Sequence, residues 1–144
     1  MTEFNLPISA SRVIPHRPPI LFVKQLVGYD EQEGSGVVEA HVRHDALDFS
    51  GDRSLINLVL VEMMAQAYAT LRGYENLLKG KPVQRGYLVG IRKAGFLRRP
   101  DPGDELAVRV RTVKALGDFF VAEGSVAKGD LLMARSTLKV WSPP

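Results

Sequence analysis

Hydrophobic and polar positions run with two different periods along this chain. From Leu55 to Leu71 nearly every residue is apolar, with no proline or glycine between. That length predicts a helix of about 25 Å. Its polar members Glu62, Gln66 and Thr70 recur at every fourth position and form one narrow stripe. A helix apolar on almost every other side is a buried helix. It is too short for a membrane span and carries a glutamate at its middle. Ser54 is placed to cap its start.

Elsewhere the pattern is that of strands. Ile20 to Tyr29 and Val37 to Val42 flank the turn Glu31–Gly36 and predict a hairpin. Tyr87 to Ala94, Glu105 to Ala115, Phe119 to Ala127 and Leu131 to Trp141 predict four more strands. Gly117-Asp118 and Lys128-Gly129-Asp130 are short hairpin turns, and Pro100–Asp104 is a tight turn. Residues 1–19 hold Pro7, Pro15, Pro18 and Pro19, which precludes a long helix there. His44 to Ser54 is polar and irregular, and Lys79–Pro82 is a linker. One apolar helix among six strands predicts an α+β fold whose sheet wraps the helix.

Composition narrows the class. The 144 residues fit one domain with a real core. Hydrophobic residues make up 45% and charged residues 24%, which excludes a disordered chain and a membrane protein. The absence of cysteine excludes disulfides and thiolate nucleophiles. The first residues lack a signal peptide's basic and apolar regions, so a cytoplasmic protein is expected. A net charge of +3 is too weak to argue for nucleic acid. Three histidines without metal-ligand spacing give no metal site, and no phosphate loop or hydrolase elbow is present. No cofactor is expected.

Three segments resemble the 3-hydroxyacyl-acyl-carrier-protein dehydratases of the FabZ and FabA type. Ile14–Val23, with Pro15-His16-Arg17-Pro18, is similar to their N-terminal motif. Leu58–Ala67, with Glu62, Ala65 and Gln66, is similar to their central helix. Val89–Phe96, followed by Arg98-Arg99-Pro100 and Pro102-Gly103-Asp104, is similar to their strand and turn. The Pro18-Pro19 pair and the Glu-Met-Met-Ala-Gln core are closer to the ApeP-like dehydratases of aryl polyene pathways. The resemblance implies a hotdog fold, a dimer or higher oligomer with shared sites, and an acyl chain on a pantetheine arm. The partner is then an acyl carrier protein or a coenzyme A thioester. The family's histidine stands 14 residues ahead of the helix carboxylate, where this chain has Asp48. Asn57 occupies the place of a family glycine. The family's histidine–carboxylate pair is therefore not carried over whole.

Candidate chemistry centres on Glu62. Burial of a carboxylate raises its pKa, which suits a general acid protonating a leaving hydroxyl. Gln66, one turn on, either orients Glu62 or bonds the packed neighbours. His16 is the remaining base by its titration range, or else fixes the N-terminal turn. Asp48 either accepts a proton or caps its loop. His44 lies on the same loop, and His41 belongs to a strand's solvent face. The backbone amides of Asn57 and Leu58, in the first helical turn, are donors for a thioester carbonyl. Lys79, Lys81, Arg85, Arg92, Lys93, Arg98 and Arg99 fall in a short span and would steer an acidic carrier or coenzyme A phosphates. The expected activity is dehydration of a 3-hydroxyacyl thioester. The alternatives are thioester hydrolysis and a non-catalytic acyl-binding partner subunit, which would make a hetero-oligomer with another hotdog chain. Neither membrane nor nucleic acid is an expected partner.

Overall fold

The computed structural model describes residues 5–43 and 55–144. Within them, helix α1 runs from Ile56 to Leu78 and packs against an antiparallel sheet. The strands are β1 (Ile8–Ser9), β2 (Val23–Asp30), β3 (Ser35–His41), β4 (Tyr87–Phe96), β5 (Glu105–Leu116), β6 (Phe119–Lys128) and β7 (Leu131–Trp141). Their spatial order is β1-β2-β3-β5-β6-β7-β4. One long helix against this curved sheet is the hotdog arrangement.

The five long β-segments predicted after the first begin where their alternation begins, or within two residues of it. Three boundaries differ from the sequence reading. The first strand starts at Val23 rather than Ile20, because Pro18 and Pro19 hold residues 17–21 in a turn. A two-residue strand, β1, adds to the six predicted and pairs with β2. The helix continues seven residues past Leu71. Gly73 is not a breaker here but a seat. A Cβ at Gly73 would lie 2.2 Å from the Val13 carbonyl oxygen, so the N-terminal segment rests directly on the helix backbone. Tyr74 beyond it is buried and meets the Tyr29 ring edge-on at 5.1 Å.

The core forms where the helix's apolar face meets the sheet's inner face. Leu60, Met63, Met64, Ala67 and Leu71 meet Leu26, Val38, Val108, Ala122, Val126 and Leu138, all fully buried. Gly124 lets β6 approach closely, since a Cβ there would press on Met64 at 3.2 Å. The predicted wrapping stops short at β4. Among the described residues that strand pairs only with β7, and nearly its whole length is exposed. Leu88 and Ile91 pair with Val140 and Leu138, whose side chains point inward, yet α1 does not cover them. Leu58, near the start of α1, is 66% exposed.

Candidate active site

Between the helix and the β4 side of the sheet lies a cavity of about 130 Å³. The helix supplies Glu62, Ala65, Gln66, Tyr68, Ala69, Arg72 and Asn76; within these, Glu62, Ala65, Ala69, Arg72 and Asn76 follow each other at three- and four-residue steps along one face. His16 lines the same cavity from the N-terminal segment. Phe120, Val140 and Leu88 supply apolar wall from the sheet, and Gln84 and Ser142 add polar groups.

Gln66 organises this site. It is 1% exposed, and all its amide hydrogen-bonding groups are engaged. Its Nε2 donates to Glu62 Oε1 at 2.9 Å and to the Ile20 carbonyl at 2.8 Å. Its Oε1 accepts from the Phe22 amide at 2.8 Å. One side chain thus fixes the carboxylate and ties the N-terminal segment to the helix. Glu62 is partly buried, and its other carboxylate oxygen has no protein partner among the described residues.

His16 sits in a turn closed by its neighbour. Arg17 Nη1 donates to the carbonyls of Ile14 at 2.8 Å and His16 at 2.7 Å. His16 Nδ1 is enclosed and makes no hydrogen bond within the described residues. A buried ring nitrogen left without a partner is costly, so a group beyond the described residues is its natural complement.

The far end of the cavity was not read from the sequence. The Arg72 guanidinium lies 4.2 Å from the Phe120 ring centroid and pairs with Glu75 at 3.2 Å. Tyr29 donates to the same Glu75 at 3.3 Å. Burial, with the Glu75 carboxylate adding to it, pushes the Tyr29 phenol up to about 12. Tyr68, fully buried, bonds Thr112 at 2.8 Å, and burial raises its pKa. The helical period carries Arg72 and Asn76 onto the cavity face, a signal hidden because the helix was ended at Leu71. Thr70, the last member of the predicted polar stripe, turns into the core and bonds the Gln66 carbonyl at 2.8 Å.

The remaining predicted groups lie apart. Asn57 and Leu58 stand in the first turn of α1, off the cavity wall, and Asn57 Oδ1 is buried without a partner within the described residues. His41 pairs with Glu105 across β3 and β5 and is half-buried, its Nδ1 enclosed without a partner within the described residues. Arg85 adjoins two cavity residues, Gln84 and Gly86, while Arg92 and Lys93 lie on β4. Asp48, His44 and Ser54 lie outside the described residues. Among the described residues no cluster of histidine and carboxylate side chains is arranged to hold a metal, and no helix is long and apolar enough to cross a membrane.

Comparison with known proteins agrees with this geometry. The model of the ApeP-like family, described as ApeP dehydratase, matches residues 8–144. The chain is 31% identical over 131 residues to the 3-hydroxyacyl-acyl-carrier-protein dehydratase FabZ of Pelotomaculum thermopropionicum, covering 88% of this chain and 90% of that one. It is 25% identical over 141 residues to the FabZ of Lactococcus lactis, covering 96% of each. Among solved structures, the dehydratase heterocomplex ApeI:P from Xenorhabdus doucetiae superposes with a TM-score of 0.83 at 19% identity, covering 95% of this chain and 92% of that one. The chain therefore belongs to the ApeP-like dehydratases, a branch of the hotdog-fold 3-hydroxyacyl-acyl-carrier-protein dehydratases.

Proposed function

We propose that this protein removes water from a 3-hydroxyacyl thioester, with Glu62 as the acid and His16 as the base. The observation that carries this is that both line one cavity, with Gln66 holding one Glu62 oxygen. His16 takes the proton from the α carbon. The electron pair forms the double bond, the C–O bond breaks, and Glu62 delivers its proton to the departing hydroxyl. The products are water and the trans-2-enoyl thioester. The step is redox-neutral. The amides of Asn57 and Leu58, in the first turn of α1, are the donors for the thioester oxygen once a second chain closes over the helix start.

The substrate arrives on an acyl carrier protein, as the relatives' names state for them. The basic residues around Arg85, Arg92 and Arg98 suit that acidic carrier. Such a substrate places the protein in the cytoplasm. A second hotdog chain pairs along β4, either another copy or a different subunit as in the Xenorhabdus heterocomplex. Hydrolysis of the thioester ranks below dehydration because the matched family and relatives are dehydratases.

Enoyl absorbance after mixing with 3-hydroxyacyl carrier protein tests the reading. Loss of a general acid lowers the rate by about a hundredfold or more. Glu62→Gln should do so, and an unchanged rate removes Glu62 from the mechanism. Asp48 supports a second reading, a partner subunit without its own histidine. On that reading the wild type alone is inactive and Asp48→His creates activity.

A further inference from the structure

The candidate active site uses only the inner face of the sheet. On the outer face, cross-strand pairing sets the side chains in rows. One row runs Ser35–Arg111–Glu123–Thr137–Arg92, and the next runs Val37–Arg109–Ser125–Arg135–Gly95. Arg109 and Arg135 are two strands apart, about 10 Å at the backbone, with Ser125 between them. These rows line a groove of about 700 Å³. That lies within the range of small-molecule sites, about 300–1,000 Å³.

The groove is predominantly positive. Lys93, Arg109, Arg111 and Arg135 line it, and Glu123 is the one acid on its wall. Glu123 is engaged by Arg111 at 3.1 Å. Lys93, Arg109 and Arg135 have no carboxylate within ion-pair distance among the described residues. Two backbone features bring the cations together. Lys93 sits at φ 53° in the bulge between Arg92 and Gly95, a conformation that a lysine rarely adopts. A bulge re-aims side chains and is common beside functional sites. Gly95 lies opposite Arg135, whose Cγ and Nε run along the β4 backbone 3.7 Å from the position of a Cβ, an ordinary contact distance. Like charges so gathered are unfavourable until an anion joins them.

We propose that this groove is a second ligand site, for a small organic anion carrying a diphosphate group. Arg109 and Arg135 grip it from the two sides, Lys93 closes the β4 side, and the Ser125 hydroxyl bonds it from the floor. Guanidinium groups match phosphate oxygens two at a time. The concave shape and small polar floor suit a compact ligand rather than a protein surface. A second copy of this chain would oppose cation to cation. The site is separated from Glu62 by the sheet, so it stands independently of the dehydration chemistry.

Calorimetric titration with inorganic pyrophosphate at low ionic strength tests this. The wild type should bind one equivalent per chain. Arg135→Ala should weaken binding roughly tenfold or more, the scale of a lost charged hydrogen bond. Lys93→Gly should weaken it while leaving the thermal midpoint unchanged or higher, because the glycine relieves the backbone. Lys24→Ala, on β2 and outside the groove, should bind as the wild type does. Absence of saturable heat overturns the proposal. So does an equal loss in Lys24→Ala and Arg135→Ala, which would mean diffuse attraction to a positive chain. Binding of an acidic protein in place of pyrophosphate overturns it as well.

Discussion

At one edge of the sheet β1 ends the ladder with two residues, Ile8 and Ser9, and the chain then folds over the helix. Ile8, Ala10, Val13 and Ile14 are buried there, Gly73 gives Val13 its seat, and Gln66 holds Ile20 and Phe22. At the other edge β4 presents ten residues. Leu88, Val89 and Ile91 remain 37%, 51% and 43% exposed. The two edges are built from similar apolar residues, so composition does not separate them. The difference is that, among the described residues, the chain covers β1 and leaves β4 open. A long apolar edge strand left open is a template for pairing. The candidate cavity lies on the β4 side, with Leu88 in its wall, so the unfinished edge and the candidate chemistry coincide.

The largest effect is expected at the open edge. Ile91→Asp places a charge on the uncovered inner side of β4. It should cost association about 2 kcal/mol or more, the scale of an interface hot spot. Sedimentation should show dissociation while circular dichroism stays that of the folded chain. The closed edge should respond in stability instead. Gly73→Ala drives a methyl into the Val13 carbonyl, and overpacking of this kind costs about 1–3 kcal/mol. Better helix propensity returns only about 1 kcal/mol. Urea unfolding should show a net loss with assembly unchanged.

Gln66→Leu joins the two regions. It leaves the Phe22 amide and Ile20 carbonyl without their partner, a loss of about 1–3 kcal/mol. It also frees Glu62. Urea unfolding should register the first effect and kcat the second. Gln66→Glu keeps an acceptor for Phe22 but turns an oxygen toward the Ile20 carbonyl and the Glu62 carboxylate, so it should restore neither stability nor rate in full.

The smallest effect is at high pH on the β1 side. Tyr29 is held neutral up to about 12, above its unfolded value near 10. Its contribution is complete below pH 10 and is lost as pH rises through the folded value. Stability should fall between those limits, and the Tyr29 phenolate should appear late in an absorbance titration. Tyr29→Phe should flatten that decline.

Much of this architecture was legible in the residues themselves. Strand alternation and the Glu62–Gln66 step placed the sheet, the helix and the carboxylate. The opposite fates of the two edges were not legible, because they depend on contacts distant in sequence. Gln66 reaches residues more than forty positions away, and Val13, which rests against Gly73, belongs to a segment far from it in sequence. Arg72 followed the helical period onto the cavity, but its stacking on Phe120 depends on β6 crossing there. Exposure of β4 is a property of what is missing around it, and alternation is blind to that.

Sedimentation at micromolar concentration, run alongside the dehydration assay, tests most directly whether a second hotdog chain completes the β4 edge and its cavity. The active species should have about twice the 15.9 kDa chain mass, or that of a pair with another hotdog subunit. Ile91→Asp should lose mass and rate together. A folded 15.9 kDa monomer that dehydrates the thioester at the full rate would contradict it.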